Sequence, residues 1–439
     1  MKIIYLIYLK ESIMNHLFFL IICIIGSLKG KMSYHAYDDL LDWGLNNSLK
    51  IAEALEMRFT DENNKTYYAG EDIPEQSAIM VIPSDLILSV DNALELLNNK
   101  KLNKIYSEYQ KTEFEVKAVF LPAIPEQSFL SYLMFLVTHY KKQYKKTKFY
   151  KYFHYLLDTF ETNLDSHPIF FNKEQTEILK KSYSFVDTLL MTRQFTEEYN
   201  TLEHLNKKDN VYLDEYLRFR VLTLEKSINV ENVSSIIPFI DMFETDPVDY
   251  NANLYYNKTS KEMYVYATKD IKKGDILYLK TSKMSNIKRF ALYAKTFEKM
   301  NNYMDSYTIP MMINDLISDL DEKKQNYYSK EKIDLNKKDF YKDALEPYKK
   351  LSIDKKEDGS DLSAYNLFLK NLNMIKENLY SVKKTEIDEA FINFKDVRNM
   401  IRVFDSEKYF LDKKIDELKK VIQKIKEKEK KSEKINKDL

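Results

Sequence analysis

The side chains best suited to metal binding or nucleophilic catalysis are scattered along this chain. The histidines show neither an HExxH spacing nor another repeated metal-ligand spacing; they are His16, His35, His139, His154, His167 and His204. Cys23 is the single cysteine, and no GxSxG sequence offers a nucleophilic serine. The sequence therefore predicts no metal site and no hydrolase of a common type.

Loops that hold phosphate groups are also excluded by composition. Such loops need closely spaced glycines, whereas this chain has only 6: Gly26, Gly30, Gly44, Gly70, Gly274 and Gly359. Neither GxxxxGK nor GxGxxG can be built from these positions. A glycine-rich phosphate-binding loop of either kind is therefore not expected.

The charge balance argues against nucleic acid as a partner. Lys plus Arg and Asp plus Glu are equal at 68 each, so no net field attracts a polyanion. The run "KKQYKKTKFYKYFHY", residues 141–155, mixes lysines with aromatic residues that could stack on single-stranded bases. We interpret it instead as an amphipathic helix with a lysine-rich outer face.

The N-terminal residues 1–31 are predicted to be a leader. An uninterrupted apolar stretch, 17–25, is too short to span a bilayer but fits the core of a secretory signal. The protein is then expected in the secretory pathway or secreted, with no stable membrane insertion after cleavage. An uncleaved anchor, or translation from Met14 or Met32, is the alternative, and a start at Met32 predicts a cytoplasmic or nuclear protein.

The remaining chain alternates β-rich and helical blocks. Short strands are predicted from Leu55 to Pro83 and again from Leu254 to Lys280, with a hairpin turn at 257–260. Residues 96–232 are predicted to be helical, with "FLSYLMFLVTHY" as a buried helix and an apolar stripe at Leu213, Leu217, Val221, Leu224 and Ile228. A second stripe, Leu411, Ile415, Leu418, Ile422 and Ile425, precedes a solvated and frayed tail at 426–439.

In this order of elements the chain resembles the SET-domain protein methyltransferases, in the branch of the Rubisco large-subunit lysine methyltransferase and the actin-histidine methyltransferase. The resemblance covers roughly residues 37–425. The matching phrases, in family order, are "DLLDWGL", "EDIPEQSAIMVIPSDLILS", "FYKYFHYLLDTFETNLDSHPIFFNKEQTEIL", "IIPFIDMF" and "KDIKKGDILYL" with "SNIKRFALY".

The resemblance implies an α+β fold, with a SET domain of small β-sheets split by a long helical insert and followed by an all-helical C-terminal domain. The expected segments are the leader 1–31, SET segments 32–95 and 233–299, the insert 96–232, a substrate-binding-like domain 300–425 and the charged tail 426–439. It also implies methyl transfer from S-adenosylmethionine, without a metal, to a lysine or less often a histidine of a protein, with alignment providing most of the catalysis.

The family residues that bind the cofactor are changed here. A Gly-x-Gly loop falls on Asn64, Lys65 and Thr66, whose side chains would crowd the ligand. An arginine that neutralises the cofactor carboxylate matches Lys226, which keeps the charge but loses the bidentate geometry. The Asn-His pair that holds the cofactor in the family aligns with Glu244 and Thr245. We therefore expect these two residues at the cofactor as well.

Glu244 can face the cofactor sulfonium or lie on an exposed loop, and we favour the loop because a buried carboxylate would need a partner or a raised pKa. The catalytic tyrosine falls on Thr281, while the second channel tyrosine is kept as Tyr293. A shift of register could place Tyr278 in the channel instead.

Two functions remain open on these residues. The first is a divergent protein methyltransferase that uses S-adenosylmethionine, with Tyr293 and Lys226 in its site. The second is a catalytically inactive SET-fold pseudoenzyme that binds a protein partner. Both predict a protein substrate or ligand, and the sequence does not specify which protein.

Overall fold

Two separate hydrophobic cores organise the described part of the chain. This computed structural model describes residues 37–59, 65–97, 99–114, 125–139, 148–160, 166–182, 184–207, 212–297, 300, 308–310, 318–328, 332–391 and 397–438. The leader predicted at 1–31 lies outside these residues, as do Asn64 and residues 141–147 of the lysine-rich run.

The cores correspond to two compact units. The first unit consists of Met1–Glu115, Ala123–Leu164 and Phe195–Ser282, and the second of Val116–Pro122, Asp165–Gln194 and Lys283–Leu439. The segment boundaries expected from the resemblance follow motifs rather than contacts, and they stay a prediction.

The strands of the first unit form one larger sheet and two hairpins. They are β1 Lys50–Ile51, β2 Leu55–Phe59, β3 Lys65–Ala69, β4 Ala78–Pro83, β5 Ser227–Val230, β6 Val233–Ile236, β7 Glu244–Asp246, β8 Ala252–Asn257, β9 Glu262–Ala267 and β10 Tyr278–Lys280. The larger sheet has the order β1-β4-β9-β8-β10-β7, while β2 pairs with β3 and β5 with β6. Strand β10 runs parallel to both of its neighbours, and β1, β4, β9 and β8 pair antiparallel.

The hairpin of β8 and β9 forms where the sequence predicts it. Met263, Val265 and Ala267 are buried and alternate with partly exposed tyrosines, which is the pattern of a strand with one covered face. Asn257 accepts hydrogen bonds from the backbone of Thr259 and Ser260 and so fixes the turn.

Helices surround these sheets in the first unit. They are α1 at residues 37–46, α2 Val90–Leu97, α3 Lys100–Tyr109, α4 Pro125–His139, α5 Tyr150–Phe160, the second half of α7 Ser184–Asn206, and α8 Leu213–Lys226. Helix α4 is buried over nearly its whole length, which confirms the buried helix predicted there. The stripe predicted to reach Ile228 is cut short, because α8 ends at Lys226 and the β-branched Ile228 joins β5 instead.

The second unit is mainly helical. It contains α6 Lys173–Leu179, the first half of α7, α9 Asn286–Tyr293, β11 Thr308–Pro310, α10 Glu322–Tyr328, β12 Lys332–Asp334, α11 Phe340–Asp354, α12 Asp361–Tyr380, α13 Lys384–Ala390 and α14 Val397–Asp438. Helix α12 packs on α11 and α14, and α9 also packs on α14. The predicted α+β class, with small sheets and a helical C-terminal region, is confirmed.

The predicted stripe on α14 is buried from Leu411 to Ile422. Residues 426–432 beyond it are exposed, as predicted, but the tail is not frayed, because α14 continues as helix to Asp438. Lysine and glutamate are good helix formers, and adding turns to an anchored helix is easy once it is nucleated. No helix among the described residues is long and apolar enough to cross a membrane.

A buried ion pair joins α7 and α8 in the first unit. Arg220 Nε lies 2.8 Å from Glu198 Oε2, and the two side chains are only 0% and 1% exposed. Arg220 also donates to Gln127 Oε1 at 3.0 Å and stacks over Phe195. Each polar group of the pair is thus satisfied inside the helical layer.

We predict that Glu198→Ala lowers the free energy of unfolding by about 3–5 kcal/mol, because it leaves the Arg220 charge buried without its counterion. Trp43, the single tryptophan, lies in the core of the same unit and reports unfolding in urea by fluorescence. Glu108→Ala is the control, since the Glu108–Lys104 pair is exposed and should contribute less than about 1 kcal/mol. Equal unfolding midpoints for the two variants would contradict the prediction.

Candidate functional site

The β2–β3 hairpin carries the positions where the resemblance implies a cofactor loop. Lys65 pairs with Phe59, and Thr66 pairs with Arg58. The Thr66 side chain is 1% exposed, and within the described residues its hydroxyl has no hydrogen-bond partner. A buried hydroxyl in this condition costs about 1–3 kcal/mol. Thr66 therefore places an unsatisfied polar atom on this hairpin, as far as the described residues show.

Tyr67 occupies the opposite face of the same strand. Its ring centroid lies 4.5 Å from that of Phe243, and its hydroxyl contacts Met242 Sδ at 3.5 Å. Burial, followed by the interaction with Tyr37, raises the pKa of Tyr67 well above its ordinary value, so the phenol stays neutral. Tyr67 thereby connects the hairpin to the turn at residues 240–242.

A cavity of about 560 Å³ opens on this Tyr67 face. Its lining residues are Tyr37, Asp38, Leu41, Ile51, Leu55, Met57, Arg58 and Tyr67. None of the residues at which the sequence predicts catalysis or cofactor binding lines it. The cavity adjoins the predicted site through Tyr67, which is next to Thr66 in sequence, and through Arg58, which pairs with Thr66 across the hairpin.

The turn before β7 is held in a strained conformation. Phe239 has φ 72°, a left-handed value that is uncommon for a large side chain, and is fully buried against Trp43. A Cβ on Gly44 would lie 2.6 Å from Phe239 Cζ, so this glycine is needed for the close approach. The packed ring fixes the path of the chain into Asp241.

Lys226, at the end of α8, reaches this turn. Its Nζ lies 3.4 Å from the carbonyl oxygen of Asp241 and 3.7 Å from Glu225 Oε1. Burial by itself lowers the pKa of Lys226, but the charges of Glu225, Asp241 and Glu244 outweigh it and raise the pKa above the ordinary value. The ammonium therefore stays charged, with carboxylates on several sides.

Glu244 and Thr245 lie on strand β7, and the expectation that Glu244 sits on a loop is wrong. Glu244 pairs with Tyr278 and Thr245 with Leu279 in the parallel β7–β10 ladder. Glu244 is nevertheless exposed, as the loop interpretation required. Because β7 pairs with β10 on one side only, the segment is an edge strand of the larger sheet.

Tyr278 and Thr281 stand at the two ends of β10. Burial, then the charges of Glu244 and Asp246, raise the pKa of Tyr278. Its phenol is thus a neutral group beside the Glu244 carboxylate. Thr281 follows the strand and is half-buried.

Asn251 holds β10 in place. Its side-chain amide donates to the Ile276 carbonyl at 2.8 Å and accepts from the Tyr278 N–H at 2.7 Å. Its own backbone bonds Tyr278 and Thr268. The Asn251 side chain thus makes the two backbone hydrogen bonds to Ile276 and Tyr278 that a neighbouring strand would otherwise make.

Tyr293 belongs to the second unit, at the end of α9. The guanidinium of Arg289 lies 5.7 Å from its ring centroid and 3.8 Å from that of Phe297. Ala294 follows in a left-handed conformation, φ 53°, which glycine adopts more readily than alanine. Because Thr281 and Tyr293 belong to different units, their meeting in one channel stays a prediction.

Comparison with solved structures identifies the architecture. The SET domain of LSMT bound to lysine and AdoHcy matches with a TM-score of 0.57 at 14% identity, covering 88% of this chain and 91% of that one. Rubisco LSMT bound to AdoMet matches with a TM-score of 0.56 at 15% identity, covering 88% and 92%. The chain has a SET fold. No protein-family model and no curated protein sequence matches it.

Within this SET fold, the first unit brings together two of the predicted cofactor positions, Lys226 and Glu244, around the Asp241 turn. Thr66 lies on strand β3 of the nearby β2–β3 hairpin. Since side chains alternate along a strand, Thr66 and Tyr68 point to the same face of it. Tyr68 bridges to Ile276, two residues before Tyr278. Among the described residues, no group of three or more acidic, histidine or cysteine side chains is arranged to hold a metal ion.

Sequence reasoning missed Glu225 and the Tyr37–Tyr67 pair. Glu225 could have been found, since it directly precedes the predicted Lys226. The two tyrosines are far apart in sequence and belong to different elements, so no local spacing links them.

We predict that Asn251→Ala lowers the free energy of unfolding by about 2–4 kcal/mol, because the Ile276 carbonyl and the Tyr278 N–H both lose a buried partner. Urea unfolding followed by Trp43 fluorescence measures it. Asn253→Ala is the control on the adjacent strand β8, where the half-buried bonds to Tyr266 Oη and from the neighbouring Leu254 N–H are lost and neither bond involves β10. A loss no greater than that of the control would show that Asn251 does not hold β10.

We also predict that Ala294→Gly raises the free energy of unfolding by about 1 kcal/mol, because glycine adopts the left-handed conformation without steric cost. Urea unfolding followed by far-ultraviolet circular dichroism tests this. The same change at Ala291, inside α9 and fully buried, should have the opposite sign. Destabilisation by both changes would refute the assignment of strain to Ala294.

Proposed function

We propose that this protein binds S-adenosylmethionine and transfers its methyl group to a lysine, or less often a histidine, of a protein, as a divergent member of the SET-domain methyltransferases. The observation that carries the proposal is the meeting of Lys226, Glu225 and Glu244 at the Asp241 turn. In motif order the chain resembles the branch of Rubisco large-subunit lysine methyltransferase and actin-histidine methyltransferase.

The donor set suits the cofactor. The amino-acid end of S-adenosylmethionine carries a carboxylate and an ammonium, which need a cation and an anion side by side. Lys226 supplies the cation, and Glu225 and Glu244 supply the anions. Thr66 adds a buried hydroxyl without a partner in the described chain, on the hairpin that the resemblance assigns to the cofactor. We infer that these residues fit the group.

When bound, the cofactor supplies an activated methyl on its sulfonium, so the protein needs mainly to align the acceptor amine and exclude water. Tyr293 is the proposed channel phenol that orients this amine. Asp241 and its carbonyl, fixed by the strained Phe239 turn, keep the ammonium of Lys226 in position.

A second function is favoured by Thr281. This position lacks the phenol that the family uses to orient the amine, and a threonine hydroxyl is several ångströms shorter in reach. Loss of one orienting group typically lowers the rate by about 10²- to 10³-fold. A SET-fold module that binds a protein partner without transfer is therefore the alternative.

Calorimetry on the full chain tests cofactor binding. We predict that S-adenosylmethionine binds in the micromolar range and that Lys226→Met weakens binding by about 10- to 100-fold, the usual value of a charge-assisted contact. Lys258→Met is the matched control, because Lys258 lies on an exposed hairpin turn paired with Glu231. Absence of heat at high micromolar cofactor would exclude the enzyme.

Transfer is tested with labelled cofactor on poly-lysine and poly-histidine. Tyr293→Phe is expected to lower transfer with cofactor affinity unchanged, whereas Tyr255→Phe on the exposed sheet surface should change neither. Micromolar binding with no transfer to either polymer would instead support the module that binds without catalysis.

A further inference from the structure

The cavity of about 560 Å³ lies between helix α1 and the β2–β3 hairpin, within the first unit. Helix α1 contributes Tyr37, Asp38 and Leu41, which lie on one side of the helix because positions four apart share a face. The opposite wall comes from β1 and from the hairpin. Sites for small organic molecules have volumes of about 300–1,000 Å³, so this cavity is large enough to hold one.

The walls of the cavity are mainly aliphatic. Leu41, Ile51, Leu55 and Met57 are each partly exposed, although all four also pack on the core of the unit. Leu55 and Met57 are two residues apart on β2, so their side chains point to the same face of the hairpin. Covering these side chains removes apolar surface from water, which favours a ligand with an apolar body.

Arg58 brings no unpaired positive charge to the cavity. Its Nη2 lies 2.7 Å from Glu56 Oε2, and its guanidinium lies 4.8 Å from the centroid of the Tyr68 ring. Glu56, Arg58 and Tyr68 share the face of the hairpin opposite to that of Met57, because side chains alternate along paired strands. An anionic ligand would therefore have to compete with Glu56 for the single cation of the lining.

Asp38 is the acidic residue of the lining. It is exposed in the first turn of α1, and within the described part of the chain no hydrogen bond or ion pair joins its carboxylate to another residue. The start of a helix tolerates a negative charge, which accounts for an acid at this position without a partner. The carboxylate thus lies at the mouth of an apolar cavity, where it can pair with a cationic group.

We propose that this cavity binds a small organic cation with an apolar body, of the class of the arylalkylamines. The ammonium pairs with Asp38, and the body lies against the aliphatic walls. None of the residues assigned to the cofactor or to methyl transfer lines the cavity. The site is therefore a second one, and it does not depend on the proposed function.

Ligand-observed NMR titrations on the full chain test this with three probes that share one body. Phenethylamine is the cation, 2-phenylethanol is neutral, and 3-phenylpropanoate is the anion. We expect phenethylamine to bind about two- to fivefold more tightly than the alcohol, the usual value of an exposed ion pair, and the carboxylate to bind most weakly. Added salt should reduce the preference for the amine. Equal affinities of amine and alcohol, or binding of none of the probes, would overturn the proposal.

Two variants locate the probe. Asp38→Asn should lower the affinity of the amine to that of the alcohol, whereas Asp39→Asn should keep the wild-type ratio, since Asp39 is equally exposed on α1 but does not line the cavity. Leu41→Trp should fill the cavity and abolish binding of all three probes, with folding checked by circular dichroism. An amine affinity that neither Asp38→Asn nor Leu41→Trp changes would place the probe elsewhere and overturn the assignment.

Competition separates this site from the one proposed for the cofactor. Saturating S-adenosylmethionine should leave the affinity for phenethylamine unchanged. Displacement of the amine by S-adenosylmethionine would assign the cavity to the cofactor and overturn the inference of a second site, while supporting cofactor binding. Amine binding that persists in a chain without affinity for S-adenosylmethionine would support this site and exclude the proposed function.

Discussion

The side chain of Asn251 is the constraint on which the candidate site depends. Strand β10 runs parallel to β8 and β7, and parallel pairing gives no tight turn that could fix its register. Asn251 does this by bonding Ile276 and Tyr278 on either side of Leu277, as a neighbouring strand would. The Leu277 N–H in turn donates to the Tyr67 carbonyl, which attaches the β2–β3 hairpin. One buried amide therefore sets where Tyr278, Glu244 and Thr66 lie relative to each other.

Exposure to solvent distinguishes the structural ion pair of this unit from the candidate ligand site. Arg220 has one carboxylate, Glu198, with an amide and an aromatic ring completing its surroundings, so nothing is left to bind. Lys226 differs from Arg220 because its side chain is 15% exposed, and its Nζ lies 3.7 Å from Glu225 and 3.4 Å from the Asp241 carbonyl. A fully buried pair such as Arg220–Glu198 needs partners within the protein for all of its polar groups, whereas a partly exposed group such as Lys226 can also bind water or a ligand.

The sequence predicts what depends on local pattern. Helix α4 and the hairpin turn at Asn257 follow from apolar content and from a side chain that bonds its own backbone. The end of α8 does not follow from local pattern, because the apolar helical spacing continues to Ile228 although the helix ends at Lys226. The strand at Glu244 does not follow either, because three residues are too few to show a strand periodicity. The site is predicted only in part for the same reason: Glu225 and Lys226 are neighbours, while Tyr37 and Tyr67 meet only in the folded chain.

The path of the chain around the candidate site is fixed by core packing and by Asn251 rather than by Thr66, Glu244 or Thr281. The left-handed backbone at Phe239 and at Ala294 stores strain of about 1–2 kcal/mol each. At Phe239 this strain is offset by a ring buried against Trp43 and Gly44, so the turn leading to Asp241 cannot relax without losing core packing. Thr66, Glu244 and Thr281 do not fix the backbone in this way, because the hairpin and the β7–β10 ladder are held by backbone hydrogen bonds and by Asn251. Glu244 is exposed and Thr281 is only half-buried, whereas Phe239 and Asn251 are buried, so substitution at the first two positions is expected to change the scaffold less than substitution at the last two.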